Sequence, residues 1–299
     1  MVYVGTVILL ISSAQGQNLF VGDARRFTID EYTPGGVQST FASGLANVEG
    51  LAFDSSSNLY EADANGNINA HIYEFTPSGV QSTFTSALVS PGPLVIDSMG
   101  NIFVSAQVSS AGGNGVIYKF TPSGVKSTFA SGLGEGVNGL AFDGAGNLFA
   151  SDGNSGTIYE YTPGGVQSTF ATGVSRVNGL AFDSAGNLFG ASVNGSIYKY
   201  TTNGVQSTFA SGLSDPFGLA FNSAGNLFVS NSGTGSSTGT GEIFEYTPSG
   251  VRSVFASDTD DSLLFTPTFL VFQVPEPSSW SMLLVGSFAL LSGFRRRGL

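Results

Sequence analysis

Short segments of alternating apolar and polar residues recur along most of the chain and predict β-strands. They are rich in Phe, Tyr, Val, Ile and Thr, and each spans about five to seven residues between turn-forming residues. The sequence Asp183–Asn187 joins two such segments through Gly186, which can adopt a positive φ. In Thr162–Gly165, Pro163 stands where a turn begins. The pattern therefore predicts an all-β protein.

Four phrases repeat in a fixed order through the body of the chain. The phrase that resembles GVQSTFA begins at Gly36, Gly79, Gly124, Gly165, Gly204 and Gly250. Phrases that resemble GLAFD, NLFVSD and IYEYTP complete each copy. The copies are spaced by about 40 residues, which is typical of the four-stranded blades of β-propellers. We therefore predict a six-bladed β-propeller of antiparallel blades, with strands a to d running outward from a central channel.

The two ends of the repeat region predict how the ring closes. The first copy begins at Asn18 with strand b and lacks a strand a of its own. Near the C-terminus, Phe269–Phe272 has the pattern of a strand a with no strand b after it. We expect this strand to complete the first blade, because closure removes the open sheet edges of a linear array. Residues 17–273 are the predicted propeller domain.

The segments outside the propeller predict export. The apolar segment Val2–Ile11 is followed by the small residues Ala14 and Gly16, as at a signal-peptide cleavage site. Residues 1–16 are therefore predicted to be a signal peptide. Near the C-terminus, a Pro-Glu-Pro motif precedes an apolar run that is shorter than the roughly 20 residues of a comfortable transmembrane helix. The three arginines after it would hold this end on the cytoplasmic side.

This tail, residues 274–299, closely resembles the PEP-CTERM sorting signal of exopolysaccharide-producing bacteria. The match is carried, in order, by Pro275, Glu276, Pro277, the apolar run Trp280–Phe294, Arg295, Arg296 and Arg297. The resemblance implies recognition by the membrane enzyme exosortase and a transient anchor, a short C-terminal helix, in the cytoplasmic membrane. It also implies a final location in the cell envelope, at the cell surface or in the extracellular matrix. An ordinary C-terminal membrane anchor is the alternative.

Composition limits the partners and the chemistry. The chain carries 21 acidic residues against 10 Lys and Arg, a formal charge of −11. Such a surface repels nucleic acid and anionic lipid, so we expect no nucleic-acid partner. The absence of cysteine excludes disulfides and thiol catalysis. His71 is the single histidine, which excludes a site with several histidine ligands.

The residue before each predicted strand a should lie around one mouth of the channel, on the face of the d→a and b→c loops. In chain order these residues are Glu49, Gly92, Asn138, Asn178, Phe217 and Thr268. The repeats resemble NHL-type repeats, and this position resembles the metal site of the gluconolactonase/senescence-marker propellers. The resemblance implies that Glu49, Asn138 and Asn178 ligate Ca²⁺ or another divalent cation, which suits carboxylate and amide oxygens. Phe217 departs from that pattern, because the family has an aspartate there.

Two hypotheses about function follow. The leading one is an exported, non-catalytic propeller without a cofactor, which binds a polysaccharide or a surface protein. The near-identity of the blades favours such a scaffold over an active site. The alternative is a divalent-metal-dependent, lactonase-like hydrolase at the channel mouth, where a cation would polarise a carbonyl or activate water. Aromatic pairs on strand c, such as Tyr159 and Tyr161, are expected to pack between blades.

Overall fold

The computed structural model describes the propeller region of the chain with short gaps. The described residues are 16–64, 69–109, 115–134, 136–233, 241–257 and 266–273. They form an all-β structure of six four-stranded antiparallel sheets. Residues 1–15 of the predicted signal peptide, the sorting motif and the C-terminal helix lie outside the described residues. Within these ranges, no helix is long and apolar enough to cross a membrane.

Each sheet is one blade, in which we name the strands a to d from the channel outward and number them in chain order. The first blade comprises β24 (Pro267–Phe272), β1 (Leu19–Asp23), β2 (Thr28–Tyr32) and β3 (Gln38–Ser43). The second comprises β4 (Val48–Phe53), β5 (Leu59–Asp63), β6 (Ala70–Phe75) and β7 (Gln81–Leu88). The third comprises β8 (Leu94–Ile96), β9 (Ile102–Gln107), β10 (Gly115–Phe120) and β11 (Lys126–Leu133).

The remaining three blades follow the same order along the chain. The fourth comprises β12 (Val137–Phe142), β13 (Leu148–Asp152), β14 (Thr157–Tyr161) and β15 (Gln167–Ala171). The fifth comprises β16 (Val177–Phe182), β17 (Leu188–Ser192), β18 (Ser196–Tyr200) and β19 (Gln206–Ala210). The sixth comprises β20 (Pro216–Phe221), β21 (Leu227–Asn231), β22 (Glu242–Tyr246) and β23 (Arg252–Ser257). The prediction of a six-bladed propeller is confirmed.

An aspartate organises the turn between strands a and b. Asp183 Oδ1 accepts hydrogen bonds from the backbone N–H groups of Ala185 and Asn187, and its Oδ2 accepts one from the Asn187 side chain. Gly186 completes this turn with a φ of 82°, as predicted. The same bonding pattern occurs at Asp54, Asp97 and Asp143. The Asp of the GLAFD phrase is therefore a structural residue in these blades.

Aromatic rings hold adjacent blades together. Phe149, in strand b of the fourth blade, packs edge-on against Phe170 of strand d and against Phe182 in strand a of the next blade. The ring centroids are 5.0 and 4.9 Å apart, respectively. Phe170 also contacts Tyr200, in strand c of the next blade, at 6.1 Å. The strand c aromatics lie in the clusters between blades, which confirms their predicted packing role.

The N- and C-terminal strands meet in the first blade. β24 pairs antiparallel with β1, where Leu19 lies opposite Phe272. Phe272 packs edge-on against Phe228 of the sixth blade with a centroid separation of 4.9 Å. This contact has the geometry of the Phe149–Phe182 contact inside the chain. The terminal strand thus occupies the place of a strand a.

We predict that Phe272→Ala destabilises the protein as much as Phe182→Ala does, because the two rings make equivalent contacts. Each change should lower the free energy of unfolding by about 3 kcal/mol, since it removes a large apolar ring from the contact between blades. Urea unfolding of both variants measures this. If only Phe182→Ala destabilises the protein, the terminal strand does not close the ring.

Candidate functional site

The central channel is lined by strands a and contains two cavities. The first has a volume of about 450 Å³ and is bounded by apolar residues, including Phe53, Phe142 and Phe272. Gln17 lies at its edge, and Gln17 Nε2 donates a hydrogen bond to the carbonyl oxygen of Gln273 at 2.9 Å. Both described chain ends therefore lie at this end of the channel.

The second cavity, which we call the cup, opens at the opposite end of the channel. It has a volume of about 240 Å³. Its polar and aromatic lining residues include Glu49, Ser105, Gln107, Asn138, Arg176, Asn178, Phe217 and Phe269. The cup lies at the start of strands a, next to the d→a and b→c loops. It is the polar end of an otherwise apolar channel.

A β-bulge near the start of strand a directs side chains into the cup. In the fourth blade Val137 pairs with Asp152 and Gly139 pairs with Ser151, which leaves Asn138 unpaired between them. The fifth blade has the same shift around Asn178, and Glu49 lies in the bulge of the second blade. Such bulges bend a strand and re-aim a side chain.

The structure brings Glu49, Asn138 and Asn178 together at the cup, but their position in the strand differs from the prediction. They are the second residues of β4, β12 and β16 and do not precede these strands. The reason is the bulge, because pairing resumes on both sides of the unpaired residue. Gly92 and Phe217 line the same cup.

In the first blade, the residue that lines the cup is Phe269 and not Thr268, which the repeat predicts. The Thr268 hydroxyl donates hydrogen bonds to the carbonyl oxygens of Gly22 at 3.1 Å and Val48 at 3.4 Å. It thereby bridges the first and second blades. Phe269 lines the cup in its place. The Phe269 ring packs edge-on against the Phe217 ring with a centroid separation of 5.0 Å.

Two polar groups at the cup retain free acceptor capacity. Asn178 is 2% exposed, and its Nδ2 donates to the carbonyl oxygen of Pro216 at 3.4 Å. Asn178 Oδ1 is buried and has no hydrogen-bond partner among the described residues. One carboxylate oxygen of Glu49 accepts a hydrogen bond from the Asn47 side chain. These oxygens could bind a hydroxyl donor or a hard cation.

Glu61 lies in strand b of the second blade, opposite Leu51 of strand a. It is fully buried, and neither carboxylate oxygen has a hydrogen-bond partner among the described residues. Burial raises the pKa of Glu61 well above its ordinary value, and the nearby Asp63 and Glu49 carboxylates raise it further. Burial also raises the pKa of Glu49 to about 7, although the Asn47 hydrogen bond opposes this rise.

Loop-capping carboxylates support the rim of the cup. Asp63 accepts hydrogen bonds from the backbone N–H groups of Ala46 and Asn47, with Oδ2 and Oδ1 at 2.9 and 3.3 Å. Asp152 likewise accepts from the N–H groups of Gly134 and Asn154, and backbone hydrogen bonds keep its pKa below the ordinary value despite burial. These residues end strand b and fix the loops beside it.

The sequence did not single out Ser105, Gln107, Arg176 or Phe269 as cup residues. The only available signal was that Phe269 replaces the Gly of the GLAFD phrase. A metal-binding group of three or more His, Cys, Asp or Glu side chains is absent from the described part of the chain. Any cation at the cup would therefore be held by fewer than three such side chains and would depend on amide and carbonyl oxygens as well.

The chain matches no protein-family model, and it matches no curated protein. Solved structures share its fold. A gluconolactonase from Xanthomonas campestris has a TM-score of 0.62 at 19% identity, over 72% of this chain and 79% of that one. Regucalcin from Agrobacterium tumefaciens, a calcium-binding protein, has a TM-score of 0.59 at 17% identity, over 69% and 75%.

TolB from Acinetobacter baumannii is also similar in structure. Its TM-score is 0.67 at 15% identity, over 86% of this chain and 66% of that one. Similarity at these identities establishes the six-bladed propeller fold alone. The three proteins are a gluconolactonase, a calcium-binding protein and TolB, so the shared fold does not assign a function to the cup.

We predict that the stability of the metal-free protein falls as the pH rises from about 4.5 to 7 and above. The pKa values of Glu49 and Glu61 are raised in the folded state, so stability is fully present below the unfolded pKa and is lost as the pH rises through the folded pKa. Glu49 alone should contribute a loss of up to about 3 kcal/mol. Chemical denaturation in EDTA across this pH range measures it.

Glu61→Val should flatten this dependence, because it removes one of the two groups. The charges that act on Glu61 are those of Glu49 and Asp63, and both are acidic. A matched control is Glu160→Gln on β14, which should keep the wild-type profile. If Glu61→Val kept the wild-type dependence of stability on pH, Glu61 would not be one of the groups that cause it.

Proposed function

We propose that the protein is an exported, non-catalytic β-propeller that binds a saccharide unit of the exopolysaccharide matrix in the cup. The observation that carries the proposal is the unpartnered Oδ1 of Asn178, buried at a cavity that also presents Glu49 and Asn138. A buried acceptor without a donor is unfavourable. A ligand rich in hydroxyl groups supplies such donors.

The aromatic side of the cup supports the same ligand class. The Phe217 and Phe269 rings line the cup beside the amide and carboxyl groups. Binding sites for small organic ligands combine apolar surface with a few convergent polar groups. The volume of about 240 Å³ is below the roughly 300–1,000 Å³ of sites for drug-sized molecules, so one sugar ring is a suitable occupant. The remainder of a polymer would extend out of the mouth.

The alternative is a divalent-metal-dependent, lactonase-like hydrolase at the same cup. It is favoured by the oxygen atoms of Glu49, Asn138 and Asn178, which suit a hard cation, and by the fold shared with a gluconolactonase. Under this alternative, Glu49, Asn138 and Asn178 would hold the ion, which would act as a Lewis acid when bound. Phe217 opposes it, because it adds an apolar ring where a further oxygen ligand would help.

We predict that Asn178→Ala weakens binding of neutral sugars at least tenfold, because it removes the free acceptor at the base of the cup. Calorimetric titration with glucose, galactose, mannose and their oligosaccharides measures the affinity. Asn203→Ala is the matched control, since Asn203 is exposed in a c→d turn on the opposite face. It should bind these sugars as the wild type does.

The same proteins separate the two functions. No sugar binding in the wild type would overturn the saccharide proposal. Hydrolysis of simple lactones that needs a divalent cation and is lost in Glu49→Ala would establish the alternative. Turnover that survives Glu49→Ala would place any catalysis outside the cup.

We also propose that exosortase sorts the chain to the cell surface or matrix through residues 274–299. The sequence motif supports this, with Pro275, Glu276 and Pro277 ahead of the apolar run and the arginine cluster. The C-terminal helix would anchor the protein in the cytoplasmic membrane until the tail is processed. The last described residue, Gln273, lies at the end of the channel opposite the cup. An anchored protein would therefore present the cup away from the membrane.

We predict that replacing Pro275, Glu276 and Pro277 by alanine prevents processing, because the recognised motif is lost. In an exopolysaccharide-producing host with exosortase, an epitope after Leu299 should be lost from the wild type and retained by the triple variant. Immunoblotting of membrane and released fractions measures this. Alanine at Ser278 and Ser279 is the control and should be processed. Equal processing of all three proteins would show that the Pro-Glu-Pro motif is not required.

A further inference from the structure

Glu61 occupies a position that is apolar in every other blade. It is the third residue of β5, and the corresponding residues are Val21, Val104, Ala150, Gly190 and Val229. Its side chain is 0% exposed, and both carboxylate oxygens are without a partner among the described residues. A buried, unpaired carboxylate is strongly unfavourable unless a proton or a cation neutralises it. The second blade is thus chemically distinct.

The charges that act on Glu61 are acidic. The Asp63 and Glu49 carboxylates both act electrostatically on Glu61, and Tyr73 lies opposite Glu61 in strand c. His71 lies opposite Asp63, and its ring stacks on Tyr73 with a centroid separation of 5.3 Å. No basic side chain of the described residues pairs with either oxygen of Glu61.

Two of the three carboxylates have free oxygen atoms. Asp63 is engaged by the N–H groups of Ala46 and Asn47, so it serves the loop. Glu61 has two free oxygens, and Glu49 uses one of its oxygens with the Asn47 side chain. Glu49 also lines the cup, so an ion would reach the pair from the side of Glu49.

We propose that Glu61 and Glu49 together bind one calcium ion at the inner wall of the cup. Two carboxylates balance the charge of a divalent cation, and their oxygens are the hard ligands that Ca²⁺ prefers. Backbone carbonyls and water would complete a shell of six to eight oxygens. The site differs from the set Glu49, Asn138 and Asn178, which offers a single negative charge. It does not depend on the proposed saccharide function.

A calcium ion bound by Glu61 and Glu49 would explain why a carboxylate occupies a fully buried position. An isolated Glu61 destabilises the folded protein, whereas a calcium-bound Glu61 links strand b to strand a of the same blade. The ion stabilises the fold because it binds the folded protein only. Calcium should therefore reverse the penalty that burial imposes on Glu61 and Glu49.

The test uses the full chain in a neutral detergent at pH 7.5, stripped with EDTA and titrated with CaCl₂. We expect calcium to raise the melting temperature of the wild type by several degrees. Glu61→Val should melt higher than the wild type in EDTA, because the buried carboxylate is gone, and it should lose the calcium response. Glu61→Gln should lose the response as well. Asn178→Ala and the control Glu160→Gln should retain it.

Two results would overturn the proposal. One is a wild type that does not respond to calcium. The other is a calcium response that persists in Glu61→Val. Its loss in Glu49→Gln and Asn178→Ala would then place the ion at Glu49, Asn138 and Asn178. Sugar titrations of the same variants keep the two questions apart, because a failure of sugar binding leaves the calcium result unchanged.

Discussion

The edge-to-face contact between aromatic rings of adjacent blades is the interaction on which the rest of the molecule depends. Each blade except the second has a Phe in strand b that packs against a Phe of its own strand d and a Phe in strand a of the next blade. These contacts set the separation and tilt of the blades. Strand a is thereby held at the channel, where its bulge presents a side chain to the cup.

Much of the fold could be predicted from the sequence because the repeated phrases act locally. The alternation of Phe, Tyr and Val marks strands, and turn residues such as Gly186 are recognisable without knowledge of distant contacts. The bulge is different, since it depends on pairing between strands a and b across a turn. For that reason, the sequence could not predict the exact position of Asn138 in its strand. Nor could it predict that Phe269, and not Thr268, lines the cup.

The candidate site shows a similar limit. Glu49, Asn138 and Asn178 were identifiable because they occupy one position in successive copies. Glu61 was not, because a Glu in an apolar phrase can face solvent or the interior, and only the packing of the first blade against the second decides between them. The residues that repeat in every blade therefore build the fold, and the few residues that differ between blades form the candidate site. The aromatic rings build the propeller, whereas side chains that differ between blades, such as Glu49, Phe217 and Phe269, give the cup its chemistry.

The terminal strand carries a feature that bears on how a chain of near-identical copies assembles correctly. In the second, fourth, fifth and sixth blades, the GLAFD-like phrase of strand a begins with a Gly, whereas the third blade has Pro93 there. At Gly179 and Gly218, a Cβ would collide with the backbone of the next blade. In the terminal strand Phe269 holds the corresponding position. A strand with a Phe there fits the first blade but would collide with the next blade in the places that Gly179 and Gly218 occupy. The steric limit at these Gly positions therefore distinguishes the terminal strand from the strands a that carry Gly, although the copies are otherwise alike.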